Sequence, residues 1–412
     1  MTLHLTDLDI ANNEPFDGVH LLKAKDLEAS VNLPSLFSDQ IEVNQIKILE
    51  PIVDIRVLPD GRANYDIAIV EENPAEQAEP TTSEESAFNM ALSKYVIENG
   101  TVNYVDETFP MAIHAESLNH SGSGDFTASV FDLQTVTKAD HITFVYDDIP
   151  YLNQAKLEAD AGFGIDLDQS KYTFRENEIK VNDFGMHADG FVALPEENIE
   201  MDVAFEANQN DFKSLMSLIP AEFAQDLEGT KAEGTVSFDG YVKGMYSESV
   251  LPGLVLNLVI EDGMLQYPDL PENIKNVQLD AHLNAKNGIM EDDLLLDINT
   301  FHVEMAGSPV DLTFGLRTPY SDPEINGNLI AKVVLENLKN AIPLEASDVL
   351  SGIINADVQM KGNYSAIEAK RYQDFEAAGQ IIVQELLYQS DSLDYDIDIN
   401  RAYLNFSPQA MA

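Results

Sequence analysis

The sequence predicts a mainly β protein with short helices: an elongated, repetitive, antiparallel sheet interrupted by helical inserts. Three observations carry that expectation. A segment recurs along the chain at a nearly constant offset, apolar and polar residues alternate in several stretches, and eight glycines follow Asn or Asp.

The repeat comes first because it sets the organisation. Leu215, Ile219, Pro220, Leu227 and Gly229 match Leu338, Ile342, Pro343, Leu350 and Gly352, each pair 123 residues apart. Val181, Asn182, Phe184 and Gly190 match Ile298, Asn299, Phe301 and Gly307 at an offset of 117, and Gln266-Tyr267 has its counterpart near Tyr388 at 121. Such a period means one structural unit built more than once. The strand-like Ile97–Tyr104 resembles Ile260–Tyr267 at an offset of 163, which exceeds 117 by 46 residues, so the first copy is expected to carry an insertion around Phe126 to Tyr151.

Strands are read from alternation. Val277, Leu279, Ala281, Leu283 and Ala285 are separated by Gln278, Asp280, His282 and Asn284, and the same pattern runs through Ile354–Met360 and Leu393–Ile399. Each is a strand with one apolar and one wet face. Gly18, Gly61, Gly100, Gly190, Gly240, Gly263, Gly288 and Gly327 all follow Asn or Asp, the chemistry of tight hairpins, and are expected at turns.

Helix is expected mainly in the recurring segment. Phe212, Leu215, Ile219, Phe223 and Leu227 share a stripe, Pro220 interrupts it and Gly229 suits a C-terminal cap, which predicts two short helices with a kink. The acidic flanks favour packing on the sheet over lipid-surface binding. Residues Glu71–Ser86, poor in apolar side chains, read as a flexible acidic linker or loop.

Composition bounds the function. With 44% hydrophobic residues the chain has the apolar surface of a folded protein. Against 72 Asp and Glu stand 23 Lys and Arg, a net charge of −49, so nucleic acid and anionic membrane surfaces are repelled and the carboxylates are expected on a solvated face. No cysteine is present, which removes disulfides, thiol nucleophiles and zinc-thiolate sites. No stretch nears the roughly 18 apolar residues of a membrane helix, and Thr2–Asp7 already alternates like a strand where a signal peptide would begin. The chain is expected to be a fragment of a longer protein, with its last repeat cut short.

Catalytic signatures are missing. There is no H-E-x-x-H, no G-x-S-x-G, no phosphate-binding loop and no dinucleotide fingerprint. His114 and His120, the nearest histidine pair, fit no metal motif and read as strand or surface positions. Asp394, Asp396 and Asp398 could gather calcium on one strand face, but Ile399 and Asn405 stand where an EF-hand needs Gly and Glu. Asp147-Asp148 and Glu291-Asp292-Asp293 read as turn or rim charges. No catalytic residue, metal ligand or cofactor is expected.

One segment carries a family signature. Ile46–Tyr65, with a strand ending at Pro51, an alternating strand containing Arg56, then Asp60-Gly61 and Asn64, resembles the AsmA family. Leu27–Phe37 is similar to that family's preceding strand and Leu-rich turn, and Ile97–Tyr104 to its repeated strands. The resemblance implies an inner-membrane anchor, absent from this chain, a periplasmic body, and a role in outer-membrane lipid homeostasis. Larger relatives look like bridge-type lipid carriers, in which a curved sheet forms an open groove or gutter with an apolar floor.

Physics makes such a gutter reasonable, because keeping an acyl chain from water gains about 0.8 kcal/mol per CH₂. The candidate lining residues are Val277, Leu279, Leu283, Ile354, Val358 and Met360. Alternation is equally compatible with a sealed core. The sequence divides into 1–70, an AsmA-like β segment; 71–86, the linker; 87–209, the first repeat with its insertion; 210–332, the second; and 333–412, the truncated third. The resemblance and the repeat together imply a non-enzymatic protein that binds or conducts phospholipid or another lipid. The alternative is an envelope scaffold that assists outer-membrane protein assembly through contacts with envelope proteins.

Overall fold

The computed structural model describes residues 1–37, 41–66, 90–108, 110–195, 198–207, 210–219, 229–247, 250–268, 270–288, 291–342, 348–390 and 395–407. The expected linker Glu71–Ser86, and the repeat or acidic positions Pro220, Phe223, Leu227, Pro343 and Asp394, lie outside them. The chain forms two compact units, Met1–Asn182 and Asp183–Ala412. The boundaries drawn from the sequence repeat fall elsewhere, at 70/71, 86/87, 209/210 and 332/333.

In the first unit, β1 (Thr2–Ala11) pairs antiparallel with β2 (His20–Val31), which also holds β3 (Ile41–Leu49) and β4 (Ile52–Val57). The next strands, β5 (Met90–Leu92) and β6 (Lys94–Asp106), run parallel to β3 and β4. Antiparallel pairing then resumes through β7 (Met111–Gly124), β8 (Val130–Tyr146), β9 (Ile149–Asp166) and β10 (Lys171–Val181). The parallel pairs correct the expectation of a purely antiparallel sheet. Alternation carries no information about strand direction, and the chain between Val57 and Lys94 exceeds the dozen or so residues a parallel crossover requires.

The second unit is an antiparallel sheet throughout. Its strands are β11 (Phe184–Ala193), β12 (Ile199–Ala207), β13 (Asn210–Asp211), β14 (Lys231–Tyr246), β15 (Gly253–Gln266), β16 (Ile274–Ala285), β17 (Leu295–Met305), β18 (Ser308–Arg317), β19 (Glu324–Val334), β20 (Val349–Asn363), β21 (Glu376–Gln389) and β22 (Ile397–Phe406). Each pairs with the next in sequence, except that β12 and the two-residue β13 both pair with β14.

The glycine expectation holds at only some positions. Gly18, Gly61 and Gly288 lie at turns with positive φ, but Gly100, Gly190, Gly240, Gly263 and Gly327 lie inside strands. Two of those mark β-bulges instead: Asn99 and Asp262, each at φ 52°, precede Gly100 and Gly263 where the register shifts. Asn and Asp tolerate this left-handed conformation better than other side-chain-bearing residues, which is why the same dipeptides suit both turns and bulges. Ser117, Gln154, Asn276 and Glu385 also have positive φ within β7, β9, β16 and β21. Bulges at so many strands add twist and bend each sheet across its width.

The repeat has a structural counterpart. The short helix Phe212–Met216 precedes β14, and the helix Leu335–Leu338 precedes β20, with Phe212 and Leu335 123 residues apart. The bulge residues Asp262 and Glu385 are separated by the same step. In the first unit, three strands lie between β6 and β10, whereas β16 alone lies between β15 and β17. The 46 extra residues are therefore an added strand pair.

Only the first part of the predicted helical stripe is described. Asp211 caps its helix, accepting a hydrogen bond from the Ser214 backbone N–H at 2.8 Å. Phe212 is buried with Val236, Ile260, Val277 and Val303, and Leu215, Met216 and Leu279 pack around them. Gly229 has φ 76°, the left-handed conformation expected of a cap.

Candidate functional site

Strand register brings the apolar positions into rows. In the second unit, Leu256 of β15 faces Leu283 of β16, which faces Leu296 of β17, then Leu316 of β18 and Ile325 of β19. A neighbouring row runs Phe238, Leu258, Ala281, Ile298 and Phe314 over β14 to β18. At about 4.8 Å between strands, five strands make a strip roughly 19 Å wide. Every residue in both rows is half-buried, and none has the near-zero exposure of a sealed interior. Among the described residues, Phe184 is the only large apolar side chain below 2% exposure.

The opposite face is mainly polar across the same strands, with Val255, Val259 and Leu295 among its members. Asn257 donates to Asp239 at 2.8 Å, a ring nitrogen of His282 meets Asn257 Oδ1 at 2.7 Å, and Arg317 donates to Asp297 at 2.6 Å. The acidic residues of the chain thus have a wet surface to occupy, and they leave the apolar strip of β15 to β19 uninterrupted.

The six residues singled out by alternation fall into four environments. Val277 and Leu279 belong to the closed core beneath helix Phe212–Met216. Leu283 sits half-buried in the open row, and Ile354 is half-buried on β20 opposite Val333 and Val383. Val358 is buried at 2% exposure, between Leu329 and Gly379, whereas Met360 is 37% exposed.

The first unit carries a similar face with one polar interruption. Leu5, Leu27, Ile48 and Ile97 form a row across β1, β2, β3 and β6, and its next members are His120 on β7 and Thr137 on β8. Tyr95 Oη lies 2.9 Å from His120 Nε2, and His120 Nδ1 lies 2.8 Å from Thr137 Oγ1. Burial pushes the His120 imidazole below its ordinary pKa and the Tyr95 phenol above its own. Sequence alternation missed this cluster. Counting by twos from Ile113 and Ala115 puts His120 on the wet face, and the bulge at Ser117 moves it to the apolar one.

The segment Ile46–Tyr65 is structural in character. Asn64, 2% exposed, accepts from the Arg56 backbone N–H at 2.9 Å and donates to the Asp54 carbonyl at 2.7 Å and to Asn12 Oδ1 at 3.1 Å. Asn12 in turn donates to the Asn64 carbonyl at 2.7 Å. One amide therefore ties β4 to the chain that follows it and to the β1–β2 connection.

Among the described residues one group could hold a metal ion. His4 Nδ1 lies 3.7 Å from Asp26 Oδ1 and 3.6 Å from Glu28 Oε1. Lys47, the nearby cation, pairs with Glu98 at 2.8 Å, and the group reads as polar side chains of the surface. Asp396, just before β22, accepts from Gln389 at 2.7 Å, and Asp398 on β22 is exposed. Asp292 accepts from the backbone N–H groups of Tyr320 and Ser321 at 3.0 and 2.9 Å, as a rim charge joining two loops.

Among the described residues no helix is long and apolar enough to cross a membrane. The family model described as AsmA family matches residues 1–237, more than half of the chain. No curated protein and no solved structure matches it.

Proposed function

Because the chain belongs to the AsmA family, we propose that it is a non-enzymatic periplasmic protein of the bacterial envelope that binds phospholipid along the apolar face of its sheet. The observation that carries this reading is the row Leu256, Leu283, Leu296, Leu316 and Ile325, apolar in every member and half-buried in every member. A row left partly open to water gains free energy from any apolar occupant, at about 25 cal/mol per Å² covered. An acyl chain supplies that cover without the hydrogen-bonding demands of a protein backbone. The polar groups of the opposite face stay hydrated throughout, so binding is confined to one side. On this reading the body works in the periplasm beside the inner membrane, and the lipid serves outer-membrane homeostasis.

The test is native purification of the chain without detergent from bacterial membranes, followed by mass spectrometry of the extracted lipids. Phospholipid recovered with the wild type, and depleted at least tenfold in a Leu283→Asp/Leu316→Asp variant that keeps its β circular dichroism, is the expected result. No phospholipid with either protein, or equal amounts with both, overturns the reading.

A further inference from the structure

The polar interruption on the first unit's apolar face has the chemistry of a recognition element. Tyr95, His120 and Thr137 stand on three adjacent strands, β6, β7 and β8, with apolar residues in register on either side: Ile97 faces His120, and Ala159 faces Thr137. All three side chains are half-buried on the open face. The Tyr95 side chain lies over Gly122, where a Cβ would come within 2.4 Å of two ring carbons and the phenolic oxygen. Phe126 meets the same ring edge-on at 5.9 Å between centroids. The missing side chain at Gly122 is thus what lets the phenol reach His120.

Hydrogen-bond counting shows that the cluster is not self-sufficient. A neutral imidazole has one N–H and one lone-pair nitrogen, and each hydroxyl has one hydrogen to give. With both ring nitrogens engaged, one hydroxyl donates to the ring and the other accepts from it. The accepting hydroxyl keeps its own hydrogen, on Thr137 in one tautomer and on Tyr95 in the other. A donor left over on an apolar, half-buried surface costs free energy until an acceptor meets it.

We propose that Tyr95, His120 and Thr137 form a polar station that donates a hydrogen bond to an ester oxygen of the bound acyl lipid and so fixes its position along the face. This rests on the lipid-binding reading above. A neutral oxygen is the fitting acceptor, because the partners of the three residues are one another, with no Lys or Arg to balance an anion. The tautomeric choice lets the donated hydrogen come from either end of the cluster. The station therefore accepts an ester arriving over β6 or over β8.

The experiment is displacement of the fluorescent probe 1-N-phenylnaphthylamine from the full chain by methyl dodecanoate and, separately, by dodecane. The wild type is expected to bind the ester about three- to tenfold more tightly than the alkane, the range for one hydrogen bond. A Tyr95→Phe/His120→Phe/Thr137→Val variant, which replaces every donor by an apolar group, should lose that preference while still binding dodecane. Thr137→Ser, which keeps the hydroxyl, should retain it, and it tests the same preference in a protein altered by a single methyl group. A wild-type protein that binds ester and alkane equally, or a triple variant that keeps the preference, overturns the station and leaves the apolar face standing. Failure of both compounds to displace the probe from the wild type overturns the lipid reading and the station with it.

Discussion

Gly352 and Glu385 face each other across β20 and β21 so closely that a Cβ on the glycine would lie 2.8 Å from the Glu385 carbonyl oxygen. Gly234 stands in the same relation to Asp262 across β14 and β15, at 3.0 Å. In each pair the glycine has φ above 110° and the acidic residue has φ near 50°. Two bulges on neighbouring strands are thus nested, and the nest recurs in both repeats.

Replacing either glycine by alanine therefore meets backbone atoms and a disfavoured φ together. Gly352→Ala and Gly234→Ala should each destabilise the protein by about 2 kcal/mol or more. Thermal unfolding followed by circular dichroism measures this. An unchanged midpoint for either variant would refute the nested-bulge account at that site.

Asn64 satisfies the Arg56 N–H and the Asp54 carbonyl from a nearly closed position. Asn64→Ala leaves both without their partner, at a cost of roughly 2–4 kcal/mol. Hydrogen exchange should accelerate first at the Arg56 amide. Protection there equal to wild type would show that the clamp is dispensable.

Asp211 caps helix Phe212–Met216, and its hydrogen bonds from the Ser214 side chain and backbone hold its carboxyl below the usual pKa. Because the folded value is the lower one, the contribution is complete above the unfolded pKa and is lost as pH falls through the folded one. Asp211→Ala should cost about 1 kcal/mol at neutral pH and Asp211→Asn much less. Urea titrations at neutral and acid pH decide it: the gap between the Ala variant and wild type should narrow as pH falls below the ordinary carboxylate range, and a gap of constant size would assign the effect to packing.

His120 has a folded-state pKa depressed by burial from 6.5. The unfolded chain then binds the proton more readily, so the first unit is at full stability above the unfolded value and loses stability as pH falls through the folded one. His120→Phe should flatten the stability profile of that unit between roughly pH 5 and 7. Tryptic cleavage rates within residues 1–182 across this range report it, and a wild-type profile already flat there would contradict the burial effect.

The sequence by itself determined the strand chemistry, the helical inserts and the existence of a repeat. Alternation at Val277–Ala285 and at Ile354–Met360, the Phe212 stripe and the 123-residue step are all local or periodic, and local periodicity is set by side-chain direction along a strand or helix. What the tertiary structure decided depends on register. It showed that Asn99-Gly100 and Asp262-Gly263 are bulges rather than hairpins, that β4 and β6 run parallel, and that Val277 is covered by a helix while Leu283 stays open. His120 is the clearest instance. One bulge residue, Ser117, shifts every following side chain of β7 to the other face, so a histidine that alternation places in water stands on the apolar floor beside Tyr95 and Thr137. A face is a property of paired strands, and no strand specifies its own bulges without its neighbour.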